Sequence, residues 1–343
     1  MNYIWKLTDL DNIPKNGYKV FSCFACGGGS SMGYKLAGYE VIGCNEIDPK
    51  INAMYVKNFP PRYNYCSPIQ EFKQLKEYPE ELLNLDILDG SPPCSTFSMM
   101  GQREKNWGKM KKFKEGQAKQ ILSDLFFDYI ELAGRLRPKI IVSENVKGML
   151  LGNAKGYLNE IIKRFDEIGY RTQLFLLNGA TMGVPQRRER VFFISVRKDL
   201  NLPKIKLSFN ERPILYKEFK DSNYTPMNRD SLTYKLWLMR KPSDKKLSEI
   251  RKRVDGKETS FGAIFLHDNE TPPTIVASGS YPMRMDVPGY VSKKDIITIS
   301  SFPQDYDFNG ADVKYVCGMS VPPLMMYKVS EQIKIQLLDN IIK

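Results

Sequence analysis

The sequence predicts an α/β protein built on a doubly wound, mixed and mostly parallel sheet, with a second, smaller domain near the C-terminal end. Two observations lead to this fold class. Between residues 18 and 200, short apolar runs alternate with helical patterns, as they do in successive strand–helix–strand units. Beyond residue 198 the alternation stops, and residues 199–290 are polar, basic and irregular.

The first strand–helix–strand unit lies near the N-terminus. The apolar run "YKVFSCF" (18–24) has the length and composition of a buried strand, and "EVIGCNEID" (40–48) repeats that pattern. Between them, "SSMGYKLAGY" (30–39) has helical periodicity, and we expect Ser30 or Ser31 to be the N-cap of this helix.

The next elements supply the centre of the predicted sheet. "LDILDG" (85–90) and "KIIVSENV" (139–146) are apolar runs of strand length. Between them, "QILSDLFFDYIELAGRLRP" (120–138) carries its apolar side chains on one helical stripe, which predicts a helix that Pro138 ends.

Three further elements complete the pattern. "GYLNEIIKRFDEIGY" (156–170) is predicted to be a helix, "RVFFISV" (190–196) a strand, and "PLMMYKVSEQIKIQLL" (323–338) a C-terminal helix. We therefore expect two domains, the larger formed by residues 1–197 and 309–343 and the smaller by residues 198–308.

The composition is typical of a soluble globular protein and indicates a polyanionic partner. Of 343 residues, 42% are hydrophobic and 26% are charged. No run of about 18 apolar residues and no signal-peptide pattern occurs, so we expect a cytoplasmic protein without a membrane span. The net charge is +12, and residues 201–260 hold 15 Lys and Arg against 8 Asp and Glu. Such a basic segment favours nucleic acid, with a solvated lysine-rich surface as the alternative.

The cysteines give little support for a metal site. Cys23 and Cys26 form a C-x-x-C pair that could hold zinc or act in redox chemistry. No second such pair follows, however, and His267 is the only histidine. We therefore expect reduced cysteines, no metal, and a packing role for this pair.

A glycine loop, "FACGGGSSMG" (24–33), follows the first predicted strand. Its glycines let the backbone approach a ligand, and the following helix N-terminus favours an anionic group. The dinucleotide fingerprint G-x-G-x-x-G fails, because counting from Gly27 gives Gly29 and then Met32. An adenosyl ligand without phosphates fits better, and Glu46 at the end of the next strand could accept hydrogen bonds from two ribose hydroxyls. A purely structural turn is the alternative.

The stretch "SPPC" (91–94) places a cysteine directly after two prolines that rigidify the end of a predicted strand. Pro92 and Pro93 each fix φ near −65° and donate no backbone hydrogen bond. Cys94 follows at the start of the next loop or helix, where backbone N–H dipoles favour a thiolate. Structural cysteines usually lie inside strands or helices, so we interpret Cys94 as a nucleophile. The lone His267 has no evident partner, which argues against a protease-like arrangement.

Glu144 ends a predicted strand, one strand–helix–strand step after Cys94. The side chains at two neighbouring strand ends could then face the same crevice. A carboxyl group partly removed from water at that place retains a proton more readily and can donate it. The alternatives are a glutamate that caps a helix or one that pairs with an arginine.

The connection from Cys94 to the next helix, residues 95–120, is long and basic. Residues 102–119 contain seven Lys and Arg against two Glu. A basic segment of this length beside a nucleophile suggests a lid that closes over a polyanion.

Taken together, these residues resemble the cytosine-5 DNA methyltransferases of the bacterial and phage type, from about residue 18 to the C-terminus. Any one motif is weak, but Pro-Pro-Cys, Glu-Asn-Val and Gln-Arg-Arg-Glu-Arg in this order are specific. The motifs follow the family's order: "FACGGG", "NEID", "PPCSTFS", "LFFD", "ENV", "VPQRRERVFF", "FPQDYDF" and "GMSVPP".

The resemblance implies a Rossmann-like domain that binds S-adenosylmethionine, with the C-terminal helix beside the first motif, and a smaller target-recognition domain that reads duplex DNA. Cys94 would attack carbon 6 of a flipped-out cytosine, and Glu144 would hydrogen-bond ring nitrogen 3. Of Arg188 and Arg190, one would contact the pyrimidine carbonyl and the other would support the glutamate or nearby backbone. The cofactor would be held by Phe24, Gly27, Gly29, Glu46, Ile69, Pro93, Leu125, Ser320 and Val321.

The resemblance also implies a metal-free monomer, with a restriction endonuclease of the same system as a candidate partner. The sequence departs from the family pattern at several positions. Cys26 stands where glycine is usual, Met319 replaces an asparagine, and Pro68 stands where an acidic residue usually contacts the adenine amino group. These departures affect details of cofactor binding and leave Cys94 and Glu144 in place.

Three alternatives are compatible with parts of the pattern. One branch of the family methylates transfer RNA, although the long variable segment suits a DNA reader. A catalytically inactive DNA-binding module would use the same fold, but Cys94 and Glu144 are intact. A nicotinamide dehydrogenase would need the glycine fingerprint that this chain lacks.

Overall fold

The computed structural model describes residues 2–93, 110–111, 120–121, 124–151, 154–257 and 263–341. Its strands are β1 Lys19–Cys23, β2 Glu40–Asn45, β3 Tyr63–Tyr65, β4 Ile87–Gly90, β5 Met110–Lys111, β6 Gln120–Ile121, β7 Ile140–Val146, β8 Tyr170–Asn178, β9 Glu189–Arg197, β10 Tyr224–Pro226, β11 Phe265–Leu266, β12 Met283–Arg284 and β13 Gly289–Val291. Its α-helices are α1 Gly29–Leu36, α2 Pro49–Asn58, α3 Ile69–Phe72, α4 Glu80–Leu83, α5 Leu125–Leu136, α6 Ala154–Glu167, α7 Leu232–Leu238, α8 Leu247–Asp255, α9 Lys293–Ile299, α10 Val313–Met319 and α11 Pro323–Gln336.

The main sheet has seven strands in the order β3-β2-β1-β4-β7-β9-β8. The five strands from β3 to β7 are parallel, and β9 joins β7 and β8 by antiparallel pairing. This is the mixed, mostly parallel sheet that the alternating sequence pattern predicts.

Both faces of the sheet are covered, as a doubly wound fold requires. Successive residues of the central strands enter opposite cores: Val20 packs on one face of β1 and Phe21 on the other. One core includes residues of α1, α2, α9, α10 and α11, and the other includes residues of α3, α4, α5 and α6. Because both faces are apolar, β1, β4 and β7 read as continuous apolar runs.

Two sequence predictions about helix ends are wrong. The N-cap of α1 is Gly28, with φ 73°, rather than Ser30 or Ser31. Both serines lie inside the helix and are buried, and Ser31 Oγ accepts a hydrogen bond from Tyr55. The helix predicted from residue 120 begins at Leu125, because residues 120–121 form strand β6.

The sequence analysis missed strands β3 and β8. Strand β3 has only three residues, and β8 is the outermost strand of the sheet. Most side chains of β8 are partly exposed, so its sequence lacks the continuous apolar run of a central strand.

A smaller sheet, in the order β10-β13-β12-β11, lies beside helices α7 and α8. Its own apolar cluster consists of Met227, Leu236, Trp237, Ile250, Phe265 and Met283. Residues on either side of this part, including Leu202 and Phe302, pack into the larger core. The separate core therefore lies within residues 227–283, and the domain boundaries at 198 and 308 remain predictions.

The C-terminal helix α11 packs against α1, as the resemblance implies. Gly33 makes this close approach possible: a Cβ at Gly33 would lie 2.5 Å from Met326 Cβ and 2.6 Å from the Pro323 carbonyl oxygen. Gly29 meets the same segment, since a Cβ there would lie 2.0 Å from the Val321 carbonyl oxygen. Two glycines of the stretch 24–33 thus allow the first helix to pack closely against the C-terminal segment.

Candidate active site

A cavity of about 330 Å³ opens beyond the carboxyl ends of β1, β2, β4 and β7. This is where an open α/β sheet binds its ligands. Eleven of the predicted site residues line it: Phe24, Gly29, Glu46, Ile69, Pro93, Leu125, Glu144, Arg188, Arg190, Ser320 and Val321. The structure therefore brings together residues that are up to about 300 positions apart in sequence.

Of the predicted site residues that the structure describes, Gly27 does not line the cavity. A Cβ at Gly27 would lie 2.5 Å from Val316 Cγ1, and the Gly27 carbonyl accepts a hydrogen bond from the Tyr306 hydroxyl, so this glycine packs against α10. Cys94 and most of the predicted basic lid, residues 95–120, lie outside the described residues. Their roles remain predictions.

The glycine loop positions the Glu46 carboxylate. Phe24 and Cys26 have φ values of 53° and 47°, a left-handed conformation that turns the chain sharply after β1. The Cys26 N–H then donates to Glu46 Oε2 at 2.8 Å, and the Asp48 N–H donates to Oε1 at 3.0 Å. Burial raises the pKa of Glu46, and the two backbone N–H groups oppose that rise. Each carboxylate oxygen retains capacity for a further hydrogen bond.

The Pro-Pro turn is tied to the strand that carries Glu144. Strands β4 and β7 are paired, with Gly90 opposite Ser143. Beyond that pair, the Asn145 side-chain amide donates to the Pro92 carbonyl at 3.0 Å. The turn that leads into Cys94 and the strand end at Glu144 are thus neighbours, as the sequence predicts.

Glu144 and Arg190 form a buried ion pair. Arg190 Nε lies 2.8 Å from Glu144 Oε1, and the two side chains are 13% and 10% exposed. Apart from Arg190, Oε1 has no polar partner among the described residues. Burial lowers the pKa of Arg190, and the neighbouring carboxylate opposes that change. The glutamate therefore pairs with an arginine, one of the alternatives from the sequence, and also lines the cavity.

The Arg188 side chain forms hydrogen bonds with backbone carbonyls rather than an ion pair with a carboxylate. Its guanidinium donates to the carbonyls of Ile275, Gly318 and Ser320 at 3.2, 3.0 and 3.0 Å. Burial lowers the pKa of Arg188 to about 9. This arginine links β9 to the segment between α10 and α11, which supplies Ser320 and Val321 to the cavity.

The sequence analysis missed one acidic residue of the cavity, Asp89 in β4. Its carboxylate is buried and accepts hydrogen bonds from Ser22 Oγ at 2.7 Å and from the Tyr34 hydroxyl at 3.4 Å. Burial raises the pKa of Asp89 to about 7. The signal that could have revealed it is an ionisable residue inside the apolar run "LDILDG".

The described residues contain no group of three or more His, Cys, Asp and Glu side chains placed to hold a metal ion. Within the same part of the chain, no helix is both long enough and apolar enough to cross a bilayer.

Comparison with known proteins identifies the family. The model of the C-5 cytosine-specific DNA methylase family matches residues 18–335. The chain belongs to this family. This DNA cytosine-5 methyltransferase is 27% identical to the Type II methyltransferase M.NgoPII of Neisseria gonorrhoeae, over 93% of this chain and 96% of that protein. It is 35% identical to M.FnuDI of Fusobacterium nucleatum, over 59% of this chain and 53% of that protein.

Solved structures support the fold of this methyltransferase. A protein described as a DNA modification methyltransferase encoded within an E. coli prophage superposes with a TM-score of 0.67 at 19% identity. The match covers 94% of this chain and 100% of that one. The fold class and the family predicted from the sequence are therefore confirmed, and the dehydrogenase alternative is wrong.

Proposed function

We propose that the cavity binds S-adenosylmethionine, and that the enzyme methylates carbon 5 of a cytosine flipped out of duplex DNA through a covalent bond to Cys94. One observation carries this proposal. A single cavity joins a doubly anchored carboxylate, Glu46, to the Pro-Pro turn and the Glu144–Arg190 pair. The Glu46 carboxylate suits the hydroxyls of a ribose. The Glu144–Arg190 pair beside the Pro-Pro turn suits a polar base that must be protonated during attack.

The cavity fits an adenosyl ligand. The Cys26 and Asp48 N–H groups fix both Glu46 oxygens and leave each free to accept from one ribose hydroxyl. The side chains of Phe24, Ile69 and Leu125 provide apolar wall for an adenine ring. When bound, S-adenosylmethionine supplies an electrophilic methyl group.

The reacting base is activated by the chain's own residues. Cytosine carbon 5 is too electron-poor to accept a methyl group directly, and addition of the Cys94 thiolate to carbon 6 makes it nucleophilic. In its protonated form, Glu144 donates a proton or hydrogen bond to ring nitrogen 3 during that addition, so that negative charge does not accumulate on the ring. A base then removes the carbon-5 proton, the electron pair of that C–H bond re-forms the carbon 5–carbon 6 double bond and expels the thiolate, and ring nitrogen 3 returns its proton to Glu144.

Two neighbours position these groups. Arg190 orients the Glu144 carboxyl group through their ion pair, and Asn145 holds the Pro92 carbonyl two residues before Cys94. We assign to Arg188 a positioning role: its guanidinium donates to the Gly318 and Ser320 carbonyls and so holds the backbone on the cofactor side of the cavity. Contact of either arginine with the pyrimidine carbonyl remains a prediction.

We further propose that residues 198–308 read the DNA sequence. The small sheet with α7 and α8 gives this segment a core of its own, and its basic composition suits a phosphate backbone. We expect the enzyme to act as a monomer in the cytoplasm of a bacterial or phage-infected cell. A restriction endonuclease of the same specificity is the candidate partner.

Bisulfite sequencing of host DNA after expression tests the proposal. We expect 5-methylcytosine in one sequence context, and none when Cys94→Ser is expressed to the same level. In parallel, purified enzyme should transfer labelled methyl groups to duplex DNA and not to transfer RNA. Label in transfer RNA with none in DNA would establish the alternative substrate.

A further inference from the structure

Asp89 is a buried carboxylate that the proposed mechanism does not use. It is 2% exposed and belongs to the wall of the cofactor cavity. Ser22, Tyr34 and Ser30 supply it with hydrogen bonds, but within the described residues it forms no ion pair with a lysine or arginine. Neutral donors only partly compensate a carboxylate for its removal from water.

The two cationic side chains that the described residues contribute to the cavity wall are already engaged. Arg190 pairs with Glu144, and Arg188 donates to three backbone carbonyls. Burial accordingly raises the pKa of Asp89 to about 7. A strongly perturbed acid in a cavity wall is a candidate for contact with a ligand, and a cation is the ligand charge that would stabilise it.

The order of the strands indicates which part of the ligand lies nearest. Along the sheet, β2, β1, β4 and β7 are neighbours in that order. Glu46 follows β2, Asp89 lies in β4, and Glu144 lies in β7. A cofactor whose ribose is held at Glu46 and whose methyl group is delivered near Glu144 therefore places its sulfur between these two strand ends, over β1 and β4, and its methionine arm branches from the sulfur in the region of Asp89.

We infer that Asp89 forms an ion pair with a positive charge of the cofactor's methionine portion. This inference rests on the proposed function. That portion carries two cations, the sulfonium and the α-ammonium group, and either could be the partner. The sulfonium alone is lost on methyl transfer, so an ion pair with it would favour substrate over product.

Calorimetric binding to the wild type and to Asp89→Asn tests the inference with three ligands. S-adenosylmethionine carries both cations, S-adenosylhomocysteine carries only the ammonium, and methylthioadenosine carries neither. The variant should bind S-adenosylmethionine about 10- to 100-fold more weakly, as expected for loss of a charge-assisted bond. It should bind methylthioadenosine as the wild type does.

S-adenosylhomocysteine then separates the two partners. An equal loss of its affinity identifies the ammonium, and an unchanged affinity identifies the sulfonium. A folded variant with wild-type affinity for all three ligands would overturn the inference. If the wild-type enzyme bound none of the three ligands, the proposed function itself would be excluded.

A proton balance provides a test on the wild type itself. At pH 6.5 the ligand's α-amino group is protonated, and Asp89 is largely protonated because its pKa is about 7. Pairing with a cation lowers that pKa, so binding of S-adenosylmethionine should release up to about three-quarters of a proton per site. Calorimetry in buffers of different ionisation enthalpy measures the number of protons released. Methylthioadenosine should release none beyond what the shared ribose contact at Glu46 causes.

Other titratable groups facing Asp89 are separable from it. They are Cys23 on β1, Tyr34 on α1, Tyr55 on α2, Tyr129 on α5 and Glu144 on β7. Burial raises the pKa of the thiol and of the three phenols, so these stay neutral at pH 6.5. Proton release should persist in Glu144→Gln and vanish in Asp89→Asn. Equal release with both adenosyl ligands in the wild type would contradict the inference.

Discussion

At the scale of single residues, Glu46 shows how backbone geometry prepares a binding group. Its two oxygens are fixed by N–H groups from different segments, Cys26 of the glycine loop and Asp48 at the start of α2. Asp48 is itself fixed, because its side chain caps α2 by accepting from the Lys50 and Ile51 N–H groups. The carboxylate therefore needs little reorganisation when a ligand binds.

Glu46→Gln should weaken binding of S-adenosylmethionine by about 1.5–3 kcal/mol, since a charged hydrogen-bond acceptor is lost. Isothermal calorimetry measures the change. Glu40→Gln is the matched control, because Glu40 begins the strand that Glu46 follows and pairs with Arg62 at the surface. If Glu46→Gln binds as tightly as the control, Glu46 does not hold the ribose.

The roles of Cys94 and Glu144 are tested by trapping the covalent bond. A fluorine at carbon 5 cannot leave as a cation, so duplex DNA with 5-fluorocytosine at the target should stay bonded to Cys94 after methyl transfer. Cys94→Ser should form no adduct, because a hydroxyl is far less ionised than a thiol. Glu144→Gln should form it much more slowly, because an amide cannot protonate ring nitrogen 3.

A denaturing gel shift followed by peptide mapping detects this adduct. Cys66→Ser serves as the control, since Cys66 is an exposed thiol outside the cavity-lining set. An adduct mapped to another cysteine, or equal trapping by Cys94→Ser, would exclude Cys94 as the nucleophile.

At the scale of elements, the sequence predicts best what local pattern determines. Strands β1, β2, β4, β7 and β9 and helices α6 and α11 follow from apolar runs and periodicity. The edge strand β8 does not follow from such a pattern, because it is half exposed. The N-cap of α1 does not either, because it depends on the left-handed backbone of Gly28.

The same reasoning separates the site residues that were predicted from those that were not. Glu46, Glu144 and Pro93 were predictable because motifs place them at strand ends. The sequence shows Asp89 as an ionisable residue in an apolar run, but not its partner, because its hydrogen bond to Ser22 spans 67 residues and joins two strands. The targets of Arg188 lie 87 to 132 residues away, so its backbone-holding role required the three-dimensional arrangement.

The packing of α1 on α11 gives a stability prediction at this scale. Gly33→Ala would place a methyl group 2.5 Å from Met326 Cβ, so the helices must separate. We expect a loss of about 1–3 kcal/mol in the free energy of unfolding, as for other overpacked cores. Because Ser320 and Val321 precede α11, affinity for S-adenosylmethionine should fall as well.

Gly156→Ala is the control for this substitution. Gly156 lies in α6, and a Cβ there meets no atom within 4 Å, so alanine should stabilise the helix by up to about 1 kcal/mol. Urea unfolding of both variants measures the difference. Equal free energies of unfolding for the two variants would show that the α1–α11 interface accommodates the added methyl group without loss of stability.

At the scale of the whole molecule, positive charge is concentrated in the segment that also has its own small core. Ion pairs already engage part of this charge: Arg253 pairs with the buried Asp244, Lys245 with Glu270, and Arg251 with Asp255. Replacing Arg253 would leave Asp244 buried without its partner, so a loss of DNA binding in such a variant could reflect unfolding. Lysines that form no salt bridge with a described residue are better probes.

Lys241, Lys246 and Lys257 meet that requirement, and all three are exposed. If they contact phosphates, their replacement by glutamine should reduce the slope of log affinity against log salt by about 0.9 for each contact, because fewer counterions are released. Fluorescence anisotropy with a labelled duplex at several salt concentrations measures the slope. The triple glutamine variant of Lys6, Lys76 and Lys155, exposed lysines outside residues 198–308, carries the same charge change. Equal slopes for the two variants would mean that the DNA lies away from Lys241, Lys246 and Lys257, since a general effect of net charge would act on both alike.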